Sequence, residues 1–288
     1  MRRLVPTLRM RRLVPILAGA TLALSGMAAD LTPSKNAGPY VPSPESVVSD
    51  MLRLAEVGPD DFIVDLGSGD GRIVLTAAKV FGAKGFGVEI KDDLVRYANE
   101  AARREGLADR VRFLKQDLFK TDISAATVLT MYLLPDTVNL LRDKLLAELR
   151  PGARVVSHDY PLSGWMPETF REMELEDKVE VTGVPTTLVY LYVVPAKVAG
   201  SWKAMLPATL TRRPASLELT QQFTKVGGTA RLEGRELPLQ DGKLRGDRLS
   251  FRLAGLQGEF TGRVKGRTIE GVLESKGVRR PWSARLGG

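Results

Sequence analysis

Three acidic side chains, each placed at or near the end of a short apolar run, are the residues best suited to chemistry. Asp65 opens the segment DLGSGDGR at 65–72, Glu89 follows the run GFGV, and Asp117 follows the run VRFLKQ. If these runs are parallel strands, their carboxyl ends meet at one edge of a sheet, where open α/β folds bind their ligands. The sequence therefore predicts a ligand site surrounded by carboxylates.

The sequence of the glycine-rich loop after Asp65 indicates which class of ligand such a site binds. Gly67, Gly69 and Gly71 allow a tight turn and let a ligand lie against bare main chain. A dinucleotide site needs a small residue where Arg72 stands, and a phosphate-binding P-loop needs a Gly-Lys-Ser/Thr ending that this loop lacks. A loop that brings carboxylates to its ligand suits S-adenosylmethionine, which carries an ammonium and a sulfonium.

Each acid then has a chemical partner on that cofactor. Glu89 can accept hydrogen bonds from both ribose hydroxyls, and Asp117, with Gln116 beside it, can accept one from the adenine amino group. The alternative is that the acids only cap helices and that Gln116 is an ordinary exposed residue. No metal site is expected, because the chain has no cysteine and a single histidine. The candidate cofactor residues of the loop are Asp65, Gly67, Ser68, Gly69, Asp70 and Gly71.

Alternating strand and helix patterns position these residues. Apolar runs predict strands at 62–66, 85–90, 111–114, 128–133 and 154–158, and periodic segments predict helices at 72–80, 92–104 and 136–149. Ahead of them, Ser43 is expected to cap a helix that begins at Pro44. Runs at 179–182 and 187–194 predict an antiparallel pair at the sheet edge. The predicted fold is α/β, a doubly wound, seven-stranded Rossmann-like sheet.

The last third of the chain has a different pattern. Residues 197–288 form short alternating runs separated by glycines, which predicts a small antiparallel all-β domain of about seven or eight strands, a barrel or a sandwich. They hold 18 Lys and Arg against 8 Asp and Glu, a net charge of +10, whereas residues 30–196 have a net charge of −7. We therefore expect residues 30–196 to fold and bind the cofactor alone. The basic domain is either an ordinary solvated exterior or a docking surface for an acidic partner or an anionic membrane.

The first 29 residues have the pattern of a leader. An arginine-rich head precedes the apolar run LVPILAGATLALSGMA at 13–28, and small residues stand before Ala29. This predicts a signal peptide and an exported or periplasmic protein, with an uncleaved membrane anchor as the alternative. In a eukaryote, an arginine-rich leader without acids would also suit mitochondrial import.

Residues 39–165 resemble the class I S-adenosylmethionine-dependent methyltransferases. Within that class they resemble the branch of mitochondrial protein-lysine methyltransferases that modify the ATP synthase c-ring and the adenine nucleotide carrier. The matching pieces are PYVPSP at 39–44, DLGSGDGR at 65–72, Glu89, Asp117, and a fifth strand followed by Trp165. The resemblance implies S-adenosyl-L-methionine as cofactor, and it implies that Tyr40 and Ser43 close the methionine end of its site. Residues 197–288 lie outside the resemblance.

Two residues are candidates for the acceptor side. Tyr132 lies at the exit of the fourth strand and His158 ends the fifth, where class I enzymes place acceptor residues. The alternative for both is a structural role as a packed strand residue. The exit segment has no Asn-Pro-Pro-Tyr motif, which lowers support for methylation of the adenine amino group or of the glutamine amide. An amine acceptor needs alignment more than a strong base.

These observations favour methyl transfer to a protein lysine, with a small-molecule acceptor as an alternative. A different class of function is an exported binding protein that keeps the methyltransferase fold without turnover, because the cofactor is made in the cytosol and the leader points outside it. The net charge of −7 around the site disfavours a nucleic-acid acceptor, since phosphate contacts need clustered cations.

Overall fold

The computed structural model describes residues 40–175 and 185–287, and its first part is a mixed seven-stranded sheet. The strands are β1 (Phe62–Leu66), β2 (Lys84–Glu89), β3 (Val111–Lys115), β4 (Val128–Met131), β5 (Arg154–His158), β6 (Thr169–Glu174) and β7 (Thr186–Val193). Their order is β3-β2-β1-β4-β5-β7-β6. The first five run parallel, and β7 is antiparallel to both β5 and β6. The predicted seven-stranded α/β fold is confirmed.

Helices cover both faces of this sheet. They are α1 (Glu45–Leu54), α2 (Arg72–Phe81), α3 (Asp92–Arg104) and α4 (Pro135–Glu148). The first three pack in one apolar core and α4 in another. Successive residues of β1 point to opposite faces, so Ile63 belongs to the first core and Val64 to the second, and neither is exposed. Burial on both faces explains why the strands read as continuous apolar runs.

Two local expectations differ from the structure. Helix α1 begins at Glu45 with Pro44 as its N-cap residue, and no side chain caps it. The prediction that Ser43 caps this helix is wrong, because its hydroxyl is bonded to His158 instead. Strand β6 was not predicted, because five of its six residues are exposed and it has no alternating apolar pattern.

The second part is a closed eight-stranded barrel. Its strands are β8 (Gly200–Met205), β9 (Ala215–Gln222), β10 (Lys225–Leu232), β11 (Arg235–Arg245), β12 (Arg248–Leu253), β13 (Glu259–Lys265), β14 (Thr268–Ser275) and β15 (Val278–Leu286). Their order is β10-β11-β12-β13-β14-β15-β8-β9. Its interior is packed with aromatic rings rather than open. Phe251 and Phe260 stack with their ring centroids 4.9 Å apart, and Trp282 meets both edge-on. Closure leaves the strands without an unpaired edge.

The sheet and the barrel belong to one compact unit. Val193 of β7 pairs with Arg154, the first residue of β5, so the chain leaves the sheet at its amino edge. The amide of Ala196 then donates to the Gly246 carbonyl in the barrel at 2.8 Å. The barrel residue Phe223 stacks on Trp165 of the sheet part, with centroids 6.1 Å apart. That residues 30–196 fold alone stays a prediction.

Two further predictions fall on residues that the structure does not describe. The leader at 1–29 and the strand predicted at 179–182 both lie outside the described residues. Within the described residues, every helix is too short or too polar to cross a membrane. The signal-peptide and anchor alternatives therefore stay predictions.

Candidate active site

A cavity of about 340 Å³ lies at the carboxyl ends of β1, β2 and β4. This volume is in the range of pockets that hold small molecules. Eleven of the thirteen predicted site residues line it, while Gly71 and His158 do not. The eleven are Tyr40, Ser43, Asp65, Gly67, Ser68, Gly69, Asp70, Glu89, Gln116, Asp117 and Tyr132.

The loop between β1 and α2 requires its glycines for conformation and for space. Gly67, Gly69 and Gly71 have φ angles of 77°, 52° and 83°, which disfavour residues with a side chain. A Cβ atom on Gly67 would lie 2.7 Å from the Leu133 side chain, and one on Gly69 would lie 2.5 Å from the Tyr40 ring. Gly71 is the N-cap residue of α2, so it orients that helix without lining the cavity.

Glu89 ties the glycine loop to the end of β2. Its Oε2 accepts a hydrogen bond from the Gly69 amide at 3.2 Å, and its Oε1 accepts from the amides of Ile90 and Lys91 at 2.8 and 3.0 Å. These three donors fix the carboxylate at the cavity wall. The side chain is therefore preorganised before any ligand arrives.

Asp65 is a buried carboxylate beneath the same loop. It is 1% exposed, and its Oδ1 accepts a hydrogen bond from Thr130 of β4 at 2.7 Å. Burial raises the pKa of Asp65 to about 7, a rise that the Thr130 bond opposes and the charges of Asp70 and Glu89 increase. A cation in the cavity would stabilise the charged form of this group.

The turn after β3 places an acid beside apolar side chains. Asp117 accepts a hydrogen bond at Oδ1 from the Phe119 amide at 2.9 Å, and its main-chain carbonyl accepts from the Thr121 hydroxyl at 3.0 Å. Leu118 and Phe119 also line the cavity, although the sequence pattern did not single them out. An acid next to two apolar side chains suits a flat ring with a polar edge.

Arg72 holds the segment that precedes α1 against the glycine loop. Its Nη1 donates to the Ser43 carbonyl at 2.9 Å, and its Nη2 forms a salt bridge with Asp70 at 2.6 Å. The Tyr40 hydroxyl also bonds to Asp70, and burial, followed by the charge of Asp70, raises the pKa of Tyr40 to about 12. In the sequence Arg72 marked only a misfit to a dinucleotide loop. In the structure it positions one wall of the cavity.

His158 belongs to a buried chain of hydrogen bonds. Its Nδ1 lies 2.9 Å from Ser43 Oγ, and its Nε2 lies 2.7 Å from Thr187 Oγ1, which donates to Asp159 Oδ1 at 2.8 Å. An ionised carboxylate only accepts, so Thr187 gives its proton to Asp159 and must accept one from Nε2. In the neutral ring Nδ1 then accepts from Ser43. The network therefore assigns the Nε2–H tautomer.

Tyr132 lies between this chain and the cavity. Its ring packs on His158 with centroids 3.9 Å apart, and its hydroxyl bonds to Asp159. Burial, together with the charge of Asp159, raises the pKa of Tyr132, so the phenol stays protonated at neutral pH. His158 is 1% exposed and does not line the cavity. The geometry thus favours contact with a substrate for Tyr132 and not for His158.

Comparison with known proteins gives consistent matches for the sheet part. The family model described as the ANTKMT methyltransferase domain matches residues 65–169. The chain is 46% identical over 157 residues to a protein-lysine N-methyltransferase of Saccharolobus islandicus, which covers 54% of this chain and 93% of the relative. The adenine nucleotide translocase lysine N-methyltransferase of Mus musculus is 40% identical over 129 residues, which are 45% of this chain and 56% of that protein.

Two further matches are to another lysine N-methyltransferase and to an RNA methyltransferase. The ATP synthase c-subunit lysine N-methyltransferase of Xenopus laevis is 36% identical over 45% of this chain and 57% of its own length. A crystal structure of an RNA methyltransferase from Salinibacter ruber with S-adenosyl-L-homocysteine is 46% identical, with a TM-score of 0.49 over 55% of this chain and 96% of that one. The chain thus spans nearly all of the archaeal relative and little more than half of the two animal relatives. From the archaeal match and the family model, the chain belongs to the class I S-adenosylmethionine-dependent methyltransferases, in the branch of the lysine N-methyltransferases named for the adenine nucleotide translocase and the ATP synthase c-subunit.

Proposed function

We propose that this enzyme methylates the ε-amino group of a lysine in a protein. The observation that carries the proposal is the 46% identity to the archaeal protein-lysine N-methyltransferase over 93% of that relative. Two animal relatives in the same branch are also named for lysine, but they are matched over 56% and 57% of their lengths. Their particular substrates are therefore not carried over to this chain.

The polar groups of the cavity match those of S-adenosylmethionine. Ser68 Oγ is buried there without a hydrogen-bond partner among the described residues, which leaves it available to a polar ligand. The charge of Arg72 is compensated by Asp70, and the three other carboxylates that line the cavity outnumber Lys91, the second cation there. A ligand with an ammonium and a sulfonium matches that field. The carboxylates that line the cavity are those of Asp65, Asp70, Glu89 and Asp117.

In this proposal each wall of the cavity holds one part of the cofactor. Glu89 accepts from the ribose hydroxyls, and Asp117 accepts from the adenine amino group. Asp65 lies beneath the loop, where its charge favours the ammonium of the methionine end. Tyr40 and Ser43, which Arg72 and Asp70 hold in place, close that end from above.

The protein then has to align the acceptor amine and exclude water. The cofactor supplies a methyl carbon already activated by the sulfonium, so positioning contributes a large part of the rate. Tyr132 stands at the cavity wall as a protonated phenol that can hydrogen-bond the acceptor amine but does not serve as a base at neutral pH. The acidic cavity attracts a lysine, whose neutral fraction is the nucleophile.

The acceptor class is tested with labelled cofactor. The purified full chain is incubated with methyl-labelled S-adenosylmethionine and a membrane or periplasmic protein extract, and in parallel with total RNA. We expect label in protein only, with methyl-lysine identified by mass spectrometry, and none with the Glu89→Ala variant. The incubation with RNA is included because a uracil-modifying 23S rRNA methyltransferase of Bordetella avium is 43% identical over 79 residues. Label in RNA, or in small molecules alone, would refute the lysine proposal.

A further inference from the structure

A second concavity, of about 970 Å³, lies where the outer wall of the barrel meets the amino edge of the sheet. We call it the basic groove. Val193 and residues 166–168 form the side that belongs to the sheet part, and residues of β10–β14, most of them facing outward, form the other. It contains five cationic side chains against two acidic ones, Glu168 and Glu270. The cations are Lys225, Lys243, Arg245, Arg248 and Arg263.

Three of these arginines stand directly opposite one another on neighbouring strands. Arg248 of β12 pairs in register with Arg245 of β11 on one side and with Arg263 of β13 on the other. Like charges in such positions destabilise a sheet. Arg245 contacts Glu168 at 2.6 Å and Arg263 contacts Asp247 at 3.2 Å. Arg248, the central arginine, has no ion-pair partner among the described residues.

Lys225 and Lys243 extend this uncompensated charge along the groove. Both are exposed, and within residues 40–175 and 185–287 neither has a carboxylate in ion-pair contact. Glu270, one of the two acids, is already paired with Lys265 at 2.8 Å. The groove therefore has a positive field that a bound anion would neutralise.

We propose that the basic groove binds an acidic polypeptide segment. A single-stranded nucleic acid would be expected to stack on aromatic rings, and the described residues that line the groove include none. A flat membrane does not enter a concavity, whereas an extended peptide does. Met166, 65% exposed at the rim, offers an apolar contact that a peptide side chain can use.

The groove lies near the amino ends of the parallel strands, and the cofactor cavity lies at their carboxyl ends. Val193, at the groove, pairs with the first residue of β5, whereas the cavity lies at the carboxyl ends of the parallel strands. The five residues of β1 alone span about 16 Å. A partner that docks here would present its lysine to the cavity from a distant part of its chain. This link to catalysis rests on the proposed function, but the docking itself does not.

The test measures binding of a fluorescently labelled Glu-Ala repeat peptide to the full chain by anisotropy. The variant is the double substitution Lys243→Glu with Arg248→Glu, and we expect its affinity to fall at least about tenfold. The matched control is Lys203→Glu with Arg285→Glu. These residues also face each other across two barrel strands, carry the same charge and lie outside the groove. The control should weaken binding less than about twofold.

Folding is checked in the same experiment. Arg248→Glu places a carboxylate between Arg245 and Arg263, so the barrel should melt no lower than in the wild type. Affinity for S-adenosylhomocysteine should not change in either double variant. Equal weakening by both doubles would show a response to net charge and overturn the proposal. The proposal would also be overturned if labelled oligouridine or phosphatidylserine vesicles bound through the groove and the peptide did not. If the peptide binds but no lysine is methylated, only the proposed function fails.

Discussion

Asp65 shows how a single residue can cost stability and still serve a ligand site. Its carboxyl is buried, it receives one side-chain hydrogen bond from Thr130, and it lies near the charges of Asp70 and Glu89. Its pKa in the folded protein, about 7, is above the ordinary value of 3.8. The protein is therefore stabilised by the protonated form, and that stabilisation is lost as the pH rises through 7.

Asp65→Asn should stabilise the cofactor-free protein at high pH. The substitution keeps an acceptor for Thr130 and removes the charge. The rise from 3.8 to about 7 sets an upper bound of about 4 kcal/mol on the gain at pH 8, which should vanish near pH 4. Thermal melts at both values measure it, with the exposed Asp109→Asn as control. Affinity for S-adenosylmethionine should fall in the same variant. An equal change in melting temperature at both pH values would contradict this explanation.

His158 should behave as a positioning residue rather than as a base. Its ring joins Ser43, in the segment that closes the cavity, to Thr187 of β7. His158→Gln retains a donor and an acceptor, whereas His158→Leu has neither. We expect the Leu variant to raise KM for the cofactor with a kcat loss below about tenfold, and the Gln variant to restore part of the KM. Loss of a general base would instead lower kcat by about 10²–10⁴ in both variants.

The residues of the glycine loop could be predicted because their pattern is local, while the chain through His158 could not. Ser43 and His158 are 115 positions apart, and His158 and Thr187 are 29 apart. The antiparallel register of β5 and β7, with His158 opposite Val189, brings His158 and Thr187 together, and the packing of the segment before α1 adds Ser43. The residue types alone do not predict that register. Arg72 was missed for a similar reason, because its partner Ser43 lies 29 positions earlier.

Among the elements, the loop between β1 and α2 is constrained by what packs against it. Gly69 has a positive φ of 52° and lies under the Tyr40 ring, whereas Gly106 has a positive φ of 69° with nothing within 4 Å of its Cβ position. At both positions a residue with a side chain would strain the backbone. Only Gly69 adds a collision at the cavity.

Gly69→Ala and Gly106→Ala therefore form a matched pair. Both should lower thermal stability, by about 1 kcal/mol from backbone strain. The Gly69 variant should also displace Tyr40 and lose more than about tenfold in cofactor affinity, as measured by calorimetry. The Gly106 variant should bind the cofactor as the wild type does. If both variants keep full affinity, the contact between Tyr40 and the loop is not part of the site.

Elements with a buried face were predicted with bounds close to those observed. Strands β1 and β5 and helix α3 begin and end at the predicted residues, because each combines an apolar pattern with clear flanking breakers. Strand β6 lies at the sheet edge with most of its residues exposed, so no apolar pattern marks it. The second domain was predicted as an antiparallel barrel or sandwich of about seven or eight strands, and the sequence could not decide between the two, since closure depends on the pairing of β8 with β15, its last strand.

For the whole molecule, the contact between Trp165 and Phe223 contributes to the cost of separating the two parts. Trp165 is 2% exposed, and the barrel supplies one of the rings that cover it. A chain truncated after Ala196 should melt at a lower temperature but keep its affinity for the cofactor within about twofold, because the cavity lies at the opposite edge. Phe223→Ala in the full chain should reproduce part of the loss. Aggregation of the fragment, or loss of cofactor binding, would show that the barrel is an integral part of the enzyme.

The leader leads to a prediction about the mature protein. We expect residues 1–28 to be absent from protein purified from its native host, as intact mass would show. An intact leader on a membrane-bound species would favour an anchor instead. Since the cofactor is made in the cytosol, export raises the question of where the enzyme meets its methyl donor. Fractionation of the host, with activity measured in each compartment, addresses it.

The placement of the basic groove at the far edge of the sheet has a consequence for processivity. In the proposed site the segment around Tyr40 and Ser43 covers the methionine end of the cofactor, and this segment contacts the glycine loop and β5 but not the groove. If an acidic segment of the substrate protein is held in the groove, as we propose, that protein need not dissociate while the cofactor is replaced. Its lysine can return to the cavity for a second and a third methyl group within one encounter. The distribution of methylation states at early times would then be weighted towards the trimethylated product.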